Sequence, residues 1–404
     1  MKSARLIYVE VNDGKTAQSN KFYNMSEQPN GQFLAEWGRV GCSAPSTKFY
    51  PMYDWDKTLK SKVKKGYKDV TALRAENVVE RSIKNASREV AAFFNQLQLF
   101  SSNSVKANYT ISSRDVTPQM VTEAQRILDM ICRNKNKIAN DNNPSWFVND
   151  TNQLLLKLYK VIPRKMGDVR NHLVYNADVR VIDRIITSEQ DTLDSMAGQV
   201  NVQSNTQSDS EDLLEALGLT ISHVEDPRII SMIQKMMGDK SRHFKKLFEV
   251  KNKKTEGLYN QFKERTPNEN LLWHGSRNQN WYNILQTGLL IRPSDAAYTG
   301  SMFGDAIYAA SQCRKAMNYT SLAGSYWAKG NDHTAFMALF NFKLGKQKHI
   351  YKHDSSCYSL NWNRVNGEGF DSVHAHGGAD LINDEFTIYR SDQCTIKYVI
   401  ELNS

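Results

Sequence analysis

The sequence predicts an α+β multidomain protein: a small β-rich domain, an all-α helical bundle, and a larger domain built on antiparallel strands. Three observations carry this. Alternating or β-rich runs crowd residues 4–75, helical periodicity dominates 77–200, and strand-like runs return beyond a polar stretch near 199–211. A chain of 404 residues also exceeds one ordinary domain. The expected boundaries are 1–76, 77–205 and 206–404.

In the first block, "RLIYVEV", "KFYNMSE" and "GQFLAEWGRVG" read as strands, with turns at Asn12-Asp13-Gly14 and Pro29-Asn30-Gly31. "YDWDKTLKSKVKKGYKDV" then has an i, i+4 pattern with lysines on its outer face, helical up to Gly66. In the second block, Thr117 followed by Pro118 is a helix start signal, and Val121, Ala124, Leu128 and Ile131 form one stripe at helical spacing. "NDTNQLLLKLYKVIPRKMG" is a second helix, halted by Pro163 and Gly167, and "NADVRVIDRIITSEQDTLDSM" a third. Such stripes pack into a bundle. Residues 199–211, "QVNVQSNTQSDSE", hold no large apolar residue except two valines and read as a linker. Beyond them, "HFKKLFEVKN", "ENLLWHG", "TAFMALFNFKLGK", "HIYK", "GFDSVHAHG", "DEFTIYR" and "TIKYVIEL" are strands, with helices expected near 279–288 and 311–319. Strands with segregated helices define an α+β domain.

Composition removes several classes. There is no apolar run of about 18 residues for a membrane span. The N-terminal stretch lacks the apolar region of a secretory signal, so secretion is not expected. The five cysteines (Cys42, Cys132, Cys313, Cys357, Cys394) are widely separated, which points to free thiols and no cysteine-pair zinc site. The close histidine pairs are His349/His353 and His374/His376; the His-x-His of the second could ligate a metal, but no nearby cysteine or paired third ligand supports it, and no metal is expected. Net charge is +9, and residues 1–75 hold 13 Lys and Arg against 7 Asp and Glu. That concentration suits a polyanion surface, although a solvated basic face would look the same.

The stretch "NLLWHGSRNQNWYNILQTGLLI" places His274, Gly275 and Ser276 where an apolar strand ends. It is followed in order by "TGSMFGDAIYAAS", "KAMNYTS" and "DEFTIY". This series resembles the catalytic domain of poly(ADP-ribose) polymerases. "EWGRVG" with "TKFYPMYDWDKTLKSKVKKGY" resembles the WGR domain of the DNA-dependent members, and "LKLYKVIPRKMG" with its flanking helices resembles their autoinhibitory helical domain. The resemblance covers nearly the whole chain in three blocks. It implies a WGR domain, a regulatory bundle and a split antiparallel sheet, with NAD as substrate and no metal.

By that resemblance, His274 hydrogen-bonds a ribose hydroxyl of NAD, Gly275 offers its backbone to the nicotinamide amide, and Ser276 adds a ribose contact. Tyr308 and Tyr319 match the aromatic pair that sandwiches nicotinamide. Glu385 matches the carboxylate that binds the ribose 2′-hydroxyl, stabilises the oxocarbenium-like state and polarises an incoming hydroxyl. A glutamate there accompanies polymerising members; apolar replacements accompany mono-transferases. Lys315 and Met302 match positions near that carboxylate and the acceptor site. Trp37 and Arg39 match residues that hold a DNA end, with Lys57, Lys60, Lys62, Lys64, Lys65 and Lys68 as further phosphate candidates. Asp183 matches an acidic position facing the NAD pocket.

Four positions depart from the family pattern. Ala306 replaces a glycine, Ala309 a phenylalanine, and Ala316 a serine whose hydroxyl bonds the carboxamide. Leu290 stands where a basic residue is common, with Arg292 two positions on. The implied partners are DNA ends or nicks and protein acceptors including the enzyme itself, with room for an accessory factor completing the acceptor site and no membrane. The implied location is nuclear for a eukaryotic chain and cytoplasmic for a bacterial or phage one.

Overall fold

The computed structural model describes residues 2–11, 18–40, 42–69, 71, 81–138, 144–204, 210–291 and 302–404. The turn expected at Asn12-Asp13-Gly14, Arg292 and the middle of the polar stretch lie outside them. The chain forms two compact units, Met1–Val78 with Asn103–Ser204, and Val79–Ser102 with Asn205–Ser404.

In the first unit, β1 (Ser3–Val11), β2 (Gln18–Glu27), β3 (Gln32–Arg39) and β4 (Ser46–Pro51) precede α1 (Trp55–Lys64) and β5 (Lys68–Asp69). They make one antiparallel sheet in the order β4-β3-β2-β1-β5. The alternation read from the sequence is what fills its core: Ala4 and Leu6, Tyr23 and Met25, Phe33 and Ala35 point to one face, against Trp55 of α1. Trp37 lies on that sheet half-buried, stacked on Tyr23 with ring centres 5.8 Å apart, whereas Arg39 is exposed.

Four helices follow: α2 (Arg88–Asn108), α3 (Pro118–Ile138), α4 (Pro144–Val161) and α5 (Val179–Ser204). The Thr117 hydroxyl accepts from Met120 N at 3.2 Å and so caps α3 as expected. Ala124, Ile127, Leu128 and Ile131 are buried where α3 packs on α4 and α5. An ion pair also sits in this bundle. Arg164 Nη1 donates to Glu189 Oε2 at 2.6 Å, both side chains are buried, and the guanidinium lies 5.1 Å from the Tyr109 ring. Asp183 is buried on α5.

Two features differ from the expectation. The polar stretch does not begin at 199, because α5 runs on to Ser204: Val200 is buried there, and no glycine or proline interrupts the helix between 199 and 204. The start of α2 also belongs with the second unit, across the boundary expected near 205. Phe93 stacks on Phe248 (4.2 Å) and Phe94 tilts against Tyr282 (5.4 Å). Asp212 accepts from the backbone of Lys84 and Asn85, at 2.6 and 3.0 Å.

The second unit continues through α6 (Leu213–Ala216), β6 (Leu219–His223), α7 (Pro227–Met237), β7 (Phe244–Asn252), α8 (Lys253–Gln261), β8 (Glu269–Gly275) and α9 (Asn278–Thr287). Next come β9 (Ile307–Ala309), α10 (Cys313–Met317), β10 (Thr334–Lys343), β11 (Gln347–Ile350) and α11 (Trp362–Gly367), then β12 (Ser372–Ala375), β13 (Glu385–Ile388) and β14 (Cys394–Asn403). The strands form two sheets, β6-β7-β14-β10-β8 and β11-β12-β13-β9. The first is antiparallel throughout, and the second contains one parallel pair, β11 with β12. Trp273 of β8 and Ala310 exchange two backbone hydrogen bonds, 2.8 and 3.0 Å, which tie the two sheets together. All five cysteines are free thiols. Among the described residues no helix is long and apolar enough to cross a membrane.

Candidate active site

The site forms where β8 ends. Leu272 and Trp273 are both buried, so the strand is apolar on both faces until it reaches His274. The His274 Nδ1–H donates to the Tyr308 carbonyl at 3.0 Å, since a carbonyl can only accept. Trp281 and Phe340 flank the ring at 6.5 and 6.0 Å. Burial lowers its pKa, only partly opposed by the Tyr308 bond, so the ring is neutral near pH 7 and Nε2 carries a lone pair.

Gly275 is required by close approach. A Cβ there would stand 1.9 Å from the Ala316 carbonyl oxygen, and that oxygen is held by Tyr319 N at 3.1 Å. Ser276 Oγ accepts from Asn280 Nδ2 at 3.2 Å, and its carbonyl accepts from Trp281 Nε1 at 3.2 Å. Asn280 was not singled out from the sequence; its position four residues after Ser276, in the first turn of a helix, was the available signal.

The two tyrosines differ. Tyr308 on β9 is pinned: its hydroxyl donates to the Gly304 carbonyl at 2.8 Å and accepts from Phe303 N at 3.0 Å. Tyr319, just past α10, is 42% exposed, and burial of its phenol, followed by the charge of Glu385, pushes its pKa up to about 12. One ring is thus a fixed wall and the other an open one.

Glu385 begins β13, and β13 pairs with β9 so that Thr387 opposes Tyr308. Its side chain is buried, and Lys315 Nζ of α10 lies 3.0 Å from Oε1. The same ammonium reaches the carbonyls of Asn383 and Asp384, 3.4 Å each. Contacts link His274 to Tyr308 and Gly275 to the Ala316–Tyr319 turn, Lys315 on the same short helix pairs with Glu385, and the Glu385 charge acts on both tyrosines, so these residues gather around one site although spread over more than a hundred positions. Met302 packs in the adjoining core, and its carbonyl accepts from His353 Nε2 at 2.9 Å. Ala309 and Ala316 are buried, Ala306 packs in the adjoining core, and Leu290 is exposed.

Burial raises the Glu385 pKa, and the Lys315 charge only partly pulls it back. With the folded value above the unfolded one, ionising Glu385 costs stability as pH rises from the unfolded value through the folded one. Activity that needs the anion should therefore show an acid limb above the ordinary carboxylate range. Lys315→Met should move that limb further up, which a pH profile of turnover for the two proteins checks; coincident limbs would contradict the pairing.

Residues 225–404 match the family description "Poly(ADP-ribose) polymerase catalytic domain". "Uncharacterized protein 101L" of Invertebrate iridescent virus 6 is 32% identical over 205 residues, 50% of this chain and 80% of that protein. "Putative poly(ADP-ribose) polymerase-like 100L" of the same virus is 29% identical over 180 residues, 43% of this chain and 91% of that protein. Poly(ADP-ribose) polymerase 1 of Danio rerio is 33% identical over 171 residues, 39% of this chain but 17% of that protein.

Proposed function

We propose that this chain, an NAD+ ADP-ribosyltransferase whose residues 225–404 match the poly(ADP-ribose) polymerase catalytic domain, builds ADP-ribose polymers on protein acceptors, itself included, and that broken DNA stimulates it. The observation that best supports polymer formation is the buried Glu385 carboxylate, held by Lys315 beside Tyr319.

In the reaction so read, the Gly275 backbone and the two tyrosine rings hold nicotinamide while His274 Nε2 accepts from a ribose hydroxyl. The C1′–N bond breaks, its electron pair leaving with nicotinamide, and Glu385 stabilises the oxocarbenium-like ribose. An acceptor oxygen bonds to C1′ and its proton passes by way of Glu385 to solvent. When the acceptor is a ribose hydroxyl of an earlier unit, the chain grows. By the family pattern a glutamate at this position accompanies polymerising members and apolar replacements accompany mono-transferases, which favours polymer formation over mono-transfer.

Ala316 affects affinity more than chemistry. A single neutral hydrogen bond contributes about 0.5–1.5 kcal/mol, so Ala316→Ser should tighten nicotinamide-mimicking inhibitors by about tenfold at most. Equal inhibitor dissociation constants for the two proteins would show that the missing hydroxyl is immaterial.

Stimulation by DNA is read from the basic first block, with Trp37 and Arg39 as the candidate contacts and the helices as the regulatory element. Coupling between two binding sites is typically about 5- to 150-fold. Arg39→Gln, a change at an exposed side chain, should lose most of that factor. Trp37→Ala should do so too, but it also removes packing on Tyr23 and needs a melting curve beside it. The test is the ratio of turnover with and without a nicked duplex at fixed salt; an unchanged ratio in Arg39→Gln would contradict this reading. Deleting everything before residue 206 is not a clean alternative, because it strips Phe93 from Phe248 within the catalytic unit.

A further inference from the structure

We propose that His349, His374 and His376 form a binding site for a zinc-class divalent cation on the four-stranded sheet, joined to the catalytic strand through Asp384. The three side chains can each offer a nitrogen within 4.8 Å of the others. Ring centres lie 3.9 Å apart for His374 and His376, 5.1 Å for His349 and His376, and 5.3 Å for His349 and His374. Zinc–nitrogen bonds of about 2.0–2.1 Å place tetrahedral ligand atoms about 3.3 Å apart, so small side-chain rotations suffice. Imidazole ligands favour zinc, copper and nickel over calcium or magnesium.

The backbone beneath the cluster is built for this juxtaposition. β11 and β12 pair in parallel with His349 opposite His374, and His376 N donates to the Ile350 carbonyl at 2.8 Å, which extends that ladder. His374 and His376 are two positions apart, so they share a face. Without an ion, His349 Nδ1 and His376 Nε2 share one hydrogen bond at 2.8 Å; an ion replaces that single shared proton with two ligand bonds.

The outer partner is also present. His374 Nε2 lies 2.7 Å from Asp384 Oδ2, whose other oxygen accepts from Gly377 N at 2.9 Å. A carboxylate that takes one ring proton leaves the lone pair on the other nitrogen, Nδ1, which is the usual arrangement of a metal-binding histidine. His374 also stacks on Phe386 at 4.3 Å, and Ala375, between two of the ligands, pairs with Glu385 in the sheet. A bound ion would therefore clamp β11 to β12, and the His374–Asp384 contact would tie that pair to the residue just before Glu385.

The probe is zinc itself, added to the chelator-treated full chain and measured by competition with a chromophoric chelator. A single equivalent should bind to the wild type, and cobalt in its place should give the visible absorption of a four-coordinate site with three nitrogen ligands and one water. His349→Ala, at an exposed position, and His376→Ala should each weaken binding by at least about tenfold, and Asp384→Asn by about 10- to 100-fold. His333→Ala, on an exposed histidine outside the cluster, should bind as the wild type does, and melting curves of the ion-free variants separate lost ligation from lost folding. Absence of an equivalent in the wild type overturns the proposal, as does unchanged affinity in His349→Ala. A cobalt–thiolate charge-transfer band, assigning the ion to a cysteine, overturns it too.

Discussion

Glu385→Gln is expected to lower turnover by about 10²- to 10⁴-fold, the usual contribution of a positioned proton acceptor, while NAD affinity stays within about tenfold. The substitution keeps the shape of the side chain and removes its charge. A glutamine amide oxygen can still accept from Lys315 Nζ, now 3.0 Å from the carboxylate, so the local packing survives. What disappears is the anion opposite the developing positive charge and the group that takes a proton from the acceptor hydroxyl. A purely structural Lys315–Glu385 pair would behave differently: removing one partner of a buried pair costs about 3–5 kcal/mol and would lower the melting temperature while sparing turnover of the folded fraction. Nicotinamide release, NAD titration and a melting curve on the same preparation distinguish the two. Polymer made at the wild-type rate would remove Glu385 from the mechanism.

Gly275→Ala is the second large effect, with turnover falling by about 100-fold or more, because a shift of about 1 Å at a reacting centre can cost that much. The new methyl would lie 1.9 Å from the Ala316 oxygen and 2.8 Å from its carbonyl carbon, and both belong to backbone. That backbone cannot retreat freely, since Tyr319 N already donates to the same oxygen. β8 and α10 must therefore separate, carrying His274 away from Lys315 and Tyr319. Stability should fall by about 1–3 kcal/mol as in other overpacked sites. Gly257→Ala is the control: it lies in α8 with nothing within 4 Å of the added methyl, and a helical Ala is favoured over Gly by about 1 kcal/mol. A Gly275→Ala enzyme with unchanged kcat and KM would show that the two backbones do not meet.

Much of this was legible in the sequence because it rests on local rules. The alternating or β-rich runs of the first block are strands, whose positions 4 and 6, 23 and 25, and 33 and 35 fill the inward face of the sheet, and Thr117-Pro118 marks a helix start that the cap hydrogen bond bears out. The His274-Gly275-Ser276 turn and Glu385 were found by motif register. The remainder depends on pairings between distant segments, which periodicity does not encode. Phe93 and Phe94 lie in a block read only as helical, and nothing local says that their rings pack on Phe248 and Tyr282 of the second unit. Lys315 and Glu385 meet only because α10 packs beside the start of β13. His349 completes the histidine cluster only because β11 runs parallel to β12, the one parallel pair in a sheet expected to be antiparallel.

Incubating the chain with NAD+ labelled in its ADP-ribose portion, with and without nicked DNA, and resolving the protein on a denaturing gel tests the central claim most directly. The account predicts release of nicotinamide and a protein-linked ladder that strengthens when DNA is present. Single discrete shifts would restrict the chain to mono-transfer, and a folded protein that takes up no label under either condition would contradict the account.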